Sequence, residues 1–175
     1  MSQLGVWVHG TTVQVESPEK LAPVDPNSGI VEAVSRRGWG AEFFGKEQTR
    51  NWFHISIPTP AWMVNPVTQN AGHPQLLRIF FFYKTNGGVY ITDWHIYDGP
   101  RRIKEIKLTD TVGIDPNGED HSAGIDARNK LDINPPLEIL FGLGISLGVD
   151  FRTKPPDYVF PSLLITSAGA DFITP

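Results

Sequence analysis

One stretch of this chain alternates large apolar and small residues with a period of two. From Ile139 to Phe151 every second residue is apolar, and those between are mostly glycine or serine. This alternation predicts an extended strand with two unlike faces. A helix is disfavoured, because each of the three interior glycines would cost about 1 kcal/mol. We therefore predict one long strand over 139–151. We expect four residues of this strand to lie in the core beside residues 76–83: Phe141, Leu143, Ile145 and Leu147.

The second face of this strand is nearly bare backbone. Its residues are Gly142, Gly144, Ser146 and Gly148. Thr or Val would suit a solvent-facing strand better, so glycine here indicates that something lies close to the backbone. The favoured candidates are the segment 61–75 and a second subunit, and a ligand is the alternative. On this hypothesis, Gly144→Val overpacks the structure at a cost of about 1–3 kcal/mol.

The rest of the chain has the pattern of short strands separated by turns. Strands are predicted near 6–9, 12–16, 30–36, 39–44, 51–57, 76–84, 89–97, 102–108 and 158–166. The 76–84 strand is apolar on both faces, which is typical of a central strand, whereas the charges of 102–108 indicate an edge. Asn86-Gly87-Gly88 predicts a hairpin, 109–136 is expected to be mainly loop, and 158–166 is expected beside the long strand. No segment has sustained helical periodicity. We predict an all-β antiparallel sandwich, jelly-roll-like, with a β-barrel as the alternative.

Composition narrows the class of protein. The 175 residues suit a single domain over 1–175 with a core of its own. There is no cysteine, so disulfides and thiolate metal sites are excluded. The formal net charge of −4, without an extended basic cluster, argues against nucleic acid as a partner.

Neither a signal peptide nor a membrane span is predicted. The first residues lack a basic segment followed by a long apolar run. No apolar stretch approaches the ~20 residues needed to cross a bilayer. We therefore expect a cytoplasmic location and no membrane partner.

Four segments carry a resemblance to a known group of proteins. They are Arg37–Gly40 (RGWG), Trp52–Pro60 (WFHISIPTP), Tyr97–Pro100 (YDGP) and Gly142–Val149 (GLGISLGV). Together they resemble a family of small uncharacterised bacterial proteins, a domain of unknown function, over residues 5–152. The resemblance implies a stand-alone all-β domain. It supplies no activity, cofactor or catalytic residue.

Aromatic and imidazole side chains recur on one face of three predicted strands. The candidate ligand-binding residues are Trp7 and His9 on the first strand, Trp52 and His54 on the second, and Asp93, His95 and Tyr97 on the third. If these strands are neighbours, Trp and Tyr can stack on sugar rings while His and Asp bond the hydroxyls. Imidazoles with Asp93 could instead bind a divalent metal. Purely structural roles are the remaining alternative.

Three further motifs are weaker. Ser146 lies in a G-x-S-x-G pattern, but the alternation continues through it, so the strained turn of a nucleophilic serine is not expected. The acidic segment 115–122 has its glycine in the wrong place for a calcium loop, and its adjacent Asp120-His121-Ser122 is unlike a catalytic triad assembled from separate segments. Arg101 and Arg102 could clamp an anion or simply flank an edge strand.

The function favoured by these observations is a non-enzymatic binding module for a carbohydrate-like or other small polar ligand, with no cofactor. A structural or assembly homo-oligomer is the first alternative. A metal-dependent enzyme of cupin-like architecture is the second, and it ranks last because the chain has no H-x-H motif.

Overall fold

The structure is a computed structural model that describes residues 3–22, 32–86, 88–108, 118–152 and 160–174. The strands in these ranges are β1 (Gln3–His9), β2 (Gln14–Val15), β3 (Val34–Arg37), β4 (Gly40–Phe44), β5 (Thr49–Ile57), β6 (Met63–Val64), β7 (Ala71–Gly72), β8 (Gln75–Asn86), β9 (Val89–Asp98), β10 (Arg101–Lys107), β11 (Asp120–His121), β12 (Lys130–Glu138), β13 (Leu143–Phe151) and β14 (Ser162–Ile173). Two short 3-10 helices span Gly10–Thr12 and Pro18–Lys20. No helix in these ranges is long and apolar enough to cross a membrane.

The strands form two antiparallel sheets. In sheet A the order is β11-β8-β14-β4-β3, and β1 also pairs with β14 while β12 also pairs with β8. In sheet B the order is β10-β9-β13-β5-β2. Strands β6 and β7 form a separate small hairpin within the predicted 61–75 loop. The sheets are not closed into a barrel, so the predicted antiparallel β-sandwich is confirmed.

The core lies between the two sheets, where their apolar faces meet. Phe43 of sheet A packs edge-on against Phe53 of sheet B, with ring centroids 4.9 Å apart. Phe81 and Trp94 make a second contact between the sheets at 6.2 Å. The predicted core residues Leu143, Ile145 and Leu147 are buried, as are Leu76, Ile79, Phe81 and Tyr83 within the segment expected beside them. Period-two alternation therefore identified the inner face of β13 correctly from Leu143 onward.

The organising strand is shorter than predicted, and Phe141 is not in the core. Strand β13 begins at Leu143, and the Phe141 side chain is 79% exposed. The buried carboxylate of Asp98 accepts backbone N–H bonds from Leu140, Phe141 and Gly142, at 3.1, 2.7 and 3.2 Å. Gly142 has φ +136°, which favours glycine. The Asp98 carboxylate thus holds residues 140–142 as a turn. Because Asp98 is distant in sequence, the alternation of residues around Phe141 could not predict this turn.

Several connections also differ from the prediction. Gly87 of the predicted Asn86-Gly87-Gly88 hairpin lies outside the described residues, but the flanking strands do not form a hairpin, because β8 lies in sheet A and β9 in sheet B. The C-terminal strand β14 lies between β8 and β4 rather than beside β13. Within 109–136, expected to be loop, β11 and β12 pair with β8. A turn sequence specifies a reversal of the chain, but it does not specify whether the next strand pairs or crosses to the other layer. The prediction of β10 as an edge strand is confirmed.

A pair of alanine substitutions tests which phenylalanines form the core. Phe53 is fully buried, so Phe53→Ala is expected to lower the free energy of unfolding by about 3–5 kcal/mol. Phe141→Ala, at an exposed position, is expected to change it by no more than about 0.5 kcal/mol. Urea unfolding of the two variants beside wild type measures both values. Equal losses would show that the 140–142 turn is packed into the protein.

Candidate functional site

The outward side of sheet B brings together five of the seven candidate residues. Strand β13 lies between β5 and β9, and the register aligns the three strands in rows. The rows are Trp52–Gly148–Asp93, His54–Ser146–His95 and Ser56–Gly144–Tyr97. Alternate side chains of a strand share one face, so these nine residues form one surface. We call it the polar-aromatic face.

Trp7 and His9 lie elsewhere, so the prediction that they share this surface is wrong. They belong to β1, which pairs with β14 in sheet A. Trp7 stacks on Phe80 at 5.0 Å between ring centroids, and the Nε2 of His9 donates to the carbonyl of Gly38 at 3.1 Å. They alternate with Val6 and Val8, just as the candidates of the other strands alternate with large apolar residues. Only the long-range pairing of β1 with β14 decides which sheet carries them.

The rings of Trp52 and His95 meet above the small residues of β13. Their centroids are 4.5 Å apart with an angle of 33° between the planes. The guanidinium of Arg50 lies 5.2 Å from the Trp52 ring centroid and forms a short ion pair with Asp93. Trp52 is therefore fixed between a cation and an imidazole, which restricts its rotamer.

These side chains explain the glycine at position 148. A Cβ there would lie 2.8 Å from Nη2 of Arg50, 3.1 Å from the Trp52 ring and 3.2 Å from the Cβ of Asp93. The bare backbone does have close neighbours, as the sequence indicated. At this position, however, they come from the flanking strands β5 and β9 and not from the 61–75 segment.

The other end of the same face is more open. A Cβ at Gly144 would meet only the Cβ of Tyr97, at an ordinary contact distance of 3.5 Å. Ser56 beside it is exposed, and Tyr97 is half-buried. The expected overpacking at Gly144 is therefore not supported. The missing side chain leaves a shallow trough between Tyr97 and Ser56.

A hydrogen-bonded chain crosses the middle row. The Nδ1 of His54 bonds the hydroxyl of Ser146 at 2.7 Å, and its Nε2 lies 3.0 Å from a carboxylate oxygen of Glu16. The residue types are those of a Ser-His-Glu triad. However, Ser146 is only 4% exposed and lies mid-strand, between two paired neighbours. A nucleophile needs an accessible hydroxyl beside free N–H donors for the oxyanion. These two hydrogen bonds therefore fix the orientation of the His54 ring and do not activate the Ser146 hydroxyl as a nucleophile.

Asp93 of the first row and His95 of the middle row form, with Glu105 of β10, a group that could ligate a metal. One ligand atom each from Asp93, His95 and Glu105 lies within 4.8 Å of the others. Glu105 was missed from sequence, because only the register of the edge strand β10 sets it opposite His95. Arg50 already pairs with Asp93, and Arg102 pairs with Glu105 at 3.1 Å. A divalent cation would have to displace both arginines, so this donor set favours ion pairs over a metal.

The remaining motifs have local roles. Positions 115–117 of the acidic segment lie outside the described residues. Asp120 pairs with Lys84 at 3.0 Å and accepts hydrogen bonds from Ser122, while His121 bonds Asp126 at 2.6 Å. Asp120 and Ser122 therefore bond each other while His121 bonds Asp126, so the three neighbours do not form a triad.

Paired substitutions on β13 test how closely its glycines are packed. Gly148→Val is expected to lower the free energy of unfolding by about 1–3 kcal/mol, because the added methyl groups displace Trp52 and Arg50. Gly144→Val is the matched control and is expected to be neutral or slightly stabilising, since valine favours strands. Thermal melting measures both. Equal destabilisation at the two positions would show that the Gly144 end is covered.

The pH dependence of stability tests the environment of His95. Burial lowers the pKa of His95 below its usual value, and the positive charge of Arg102 acts in the same direction. The unfolded chain therefore binds the proton at higher pH than the folded chain. The stabilisation is fully present above the ordinary histidine pKa of about 6.5 and is lost as the pH falls below it.

His95→Gln provides the comparison for this experiment. Urea unfolding between pH values of about 7.5 and about 5 covers the titration of histidine. The free energy of unfolding is expected to fall more steeply in wild type than in the variant. Parallel curves would show that His95 titrates as it does in the unfolded chain.

Comparison with solved structures finds a distant likeness. A structure of TmCBM61 in complex with β-1,4-galactotriose aligns with 98% of this chain and 88% of its own, at 12% identity and a TM-score of 0.40. Similarity this low does not indicate a shared ligand. No curated protein matches the sequence. A family model does match residues 1–174, almost the whole chain. The chain therefore belongs to the family of unknown function DUF6623.

Proposed function

We propose that this chain is a non-enzymatic binding module whose polar-aromatic face takes a neutral, carbohydrate-like ligand. The observation that carries the proposal is the open trough at Gly144. It is bordered by Tyr97 on one side and by Ser56 on the other, with the His54–Ser146 pair in the next row. A site of this kind combines an apolar ring with a few convergent polar groups.

The aromatic residues suit the faces of sugar rings. Trp52 and Tyr97 lie on either side of β13, and both are half-buried, so part of each side chain remains accessible. His95 contacts both, because its ring centroid is 4.5 Å from that of Trp52 and 6.3 Å from that of Tyr97. Aromatic rings held in this way offer large apolar contacts with little loss of conformational entropy on binding.

The charges of this surface are paired, which favours an uncharged ligand. Arg50 pairs with Asp93, Arg102 with Glu105, and His54 with Glu16. An anion or a cation would have to compete with these internal partners. A polyhydroxyl ligand would not, because it can donate to carboxylates and accept from arginine or imidazole without breaking a pair.

The site also rests on a rigid support. Its side chains come from β5, β9 and β13, three adjacent strands of one sheet, rather than from loops. Side chains placed on regular strands keep their relative positions before binding, which lowers the entropic cost of association. The hydroxyl that His54 bonds belongs to Ser146, which is only 4% exposed, and this burial favours binding over hydrolysis.

A glycan array followed by calorimetry tests this proposal. Neutral oligosaccharides are expected to bind, and acidic ones are expected to bind less. Trp52→Ala and Tyr97→Ala should each weaken binding by about tenfold or more, as expected for a buried aromatic anchor. Trp7→Ala, on the outside of sheet A, is the matched control and should bind as wild type does.

Three results would contradict the proposal. They are the absence of any bound glycan, an equal loss in the Trp7 control, and a ligand that binds only with added metal. The last result would instead favour the metal-dependent alternative through Asp93, His95 and Glu105. Light scattering of the same sample distinguishes a binding module from the assembly alternative. Trp62, Val67 and Phe141 are among the exposed apolar side chains of the described residues that could make contacts in an assembly.

A further inference from the structure

Strand β1 forms an edge of sheet A that lacks the usual protection against pairing. It pairs with β14 on one side, and its other side has no strand partner among the described residues. Its sequence, Gln-Leu-Gly-Val-Trp-Val-His, contains no Lys, Arg, Asp, Glu or Pro. Its register with β14 runs from Gln3 to His9 without a bulge. A regular, mostly apolar edge of this kind is a template for pairing with another strand.

The other outermost strands of the two sheets carry features that discourage pairing. Strands β2 and β11 are two residues long, and β3 is four residues long and ends in two arginines. Strand β10 has four cations among its seven residues, and its register with β9 is interrupted by a bulge. Strand β12 contains two prolines and a register shift. Short length, charges, prolines and bulges are the means by which proteins protect an edge.

The side chains of β1 divide between the two faces of sheet A. Leu4, Val6 and Val8 face the space between the sheets, because the residues opposite them on β14 are all buried. Val6 and Val8 pack against the core, whereas Leu4 is 42% exposed. Gly5 and Trp7 face the other way. The apolar inner face of the sheet therefore continues to this edge, where it is only partly covered.

A second copy of β1 fits this edge. A strand that pairs with its own copy about a two-fold axis runs antiparallel to it, and the central residue lies opposite itself. In the one register that pairs all seven residues of β1, this central residue is Val6. The register opposes no like charges, forms aliphatic pairs on the inner face, and sets a glycine opposite the largest side chain. The pairs on either side of the centre are Leu4 with Val8, Gly5 with Trp7, and Gln3 with His9.

Strand β10 does not fit a copy of itself in this way. In the register that pairs its seven residues, Lys104 would lie opposite itself and Arg101 opposite Lys107. Like charges that are directly opposite destabilise a strand pair. Of the two seven-residue edge strands, β1 is therefore the one whose sequence is complementary to itself.

We infer that the chain forms a two-fold dimer in which β1 pairs antiparallel with β1 of a second copy and joins the two A sheets. The pairing satisfies backbone groups on the outer side of β1 and covers Leu4 with Val8 of the second copy. It is independent of the proposed function, because β1 contributes no side chain to the polar-aromatic face. A two-fold pairing closes at two chains, whereas an open assembly grows with concentration.

Light scattering and sedimentation over a range of concentrations test the dimer. Wild type is expected to have twice the mass of one chain and to dissociate on dilution. Leu4→Lys places a cation on the edge and should raise the dissociation constant of the dimer by about tenfold or more. Leu140→Lys makes the same change at a leucine of similar exposure, 45% against 42%, and should leave the constant unchanged. Thermal melting shows that each variant is folded.

Single cysteines test the register of the pairing. The chain has no cysteine, so any cross-link reports the introduced thiol. Val6→Cys sets two thiols directly opposite each other, within the Cα separation of about 4.4–6.8 Å that a disulfide allows, and should cross-link under mild oxidation. Val8→Cys is the matched control, because its two copies would be four residues apart along the strands, about 14 Å, and should not cross-link. A mixture of Leu4→Cys and Val8→Cys chains should give the mixed cross-link.

The inference is supported if Leu4→Lys alone weakens the dimer and if Val6→Cys and the mixed pair cross-link. It is overturned if wild type stays monomeric at all concentrations, or if Leu4→Lys and Leu140→Lys dissociate alike. Equal cross-linking of Val6→Cys and Val8→Cys would also overturn it. So would a mass that keeps rising with concentration, because that requires a contact that does not close.

Discussion

The contrast between the two faces of β13 is the constraint on which both the core and the candidate site depend. Large residues such as Leu147 and Phe151 fill the space between the sheets. The small residues on the other face let side chains of β5 and β9 lean over the strand until Trp52 and His95 touch. Two strands that flank a third are about 9–10 Å apart. A bulky side chain on the strand between them would keep these rings separate.

Ion pairs extend this arrangement across the face. Arg50 contacts Asp93, Asp150 and the ring of Trp52, so one cation links three strands. Pairs on a partly exposed surface contribute little to stability, generally less than about 1 kcal/mol each. Their effect here is to fix the orientation of the aromatic side chains and to leave the surface without an unpaired charge. Both effects support the proposed binding of a neutral polar ligand.

Strand β9 serves two different surfaces. Asp93, His95 and Tyr97 belong to the polar-aromatic face, while Trp94 faces the core and contacts Phe81 of sheet A. The period of two separates the two sets of side chains by the thickness of one sheet.

The sequence by itself determined the strands and their inner faces. Alternation placed Leu143, Ile145 and Leu147 in the core, since it depends only on local geometry. It also predicted that Trp52 and His54 share one face of their strand, and that Asp93, His95 and Tyr97 share one face of another. It failed at Phe141, because the Asp98 carboxylate that holds the adjacent turn is far away along the chain.

Only the tertiary structure decided which strands are neighbours. Trp7 and His9 have the same local pattern as the other candidates, yet the pairing of β1 with β14 removes them to the other sheet. Glu105 gave no signal in sequence, because its position opposite His95 depends on strand register. Strand pairing joins residues distant in sequence through backbone hydrogen bonds that are alike for nearly all residues. The side-chain pattern of a single strand therefore cannot specify its partner.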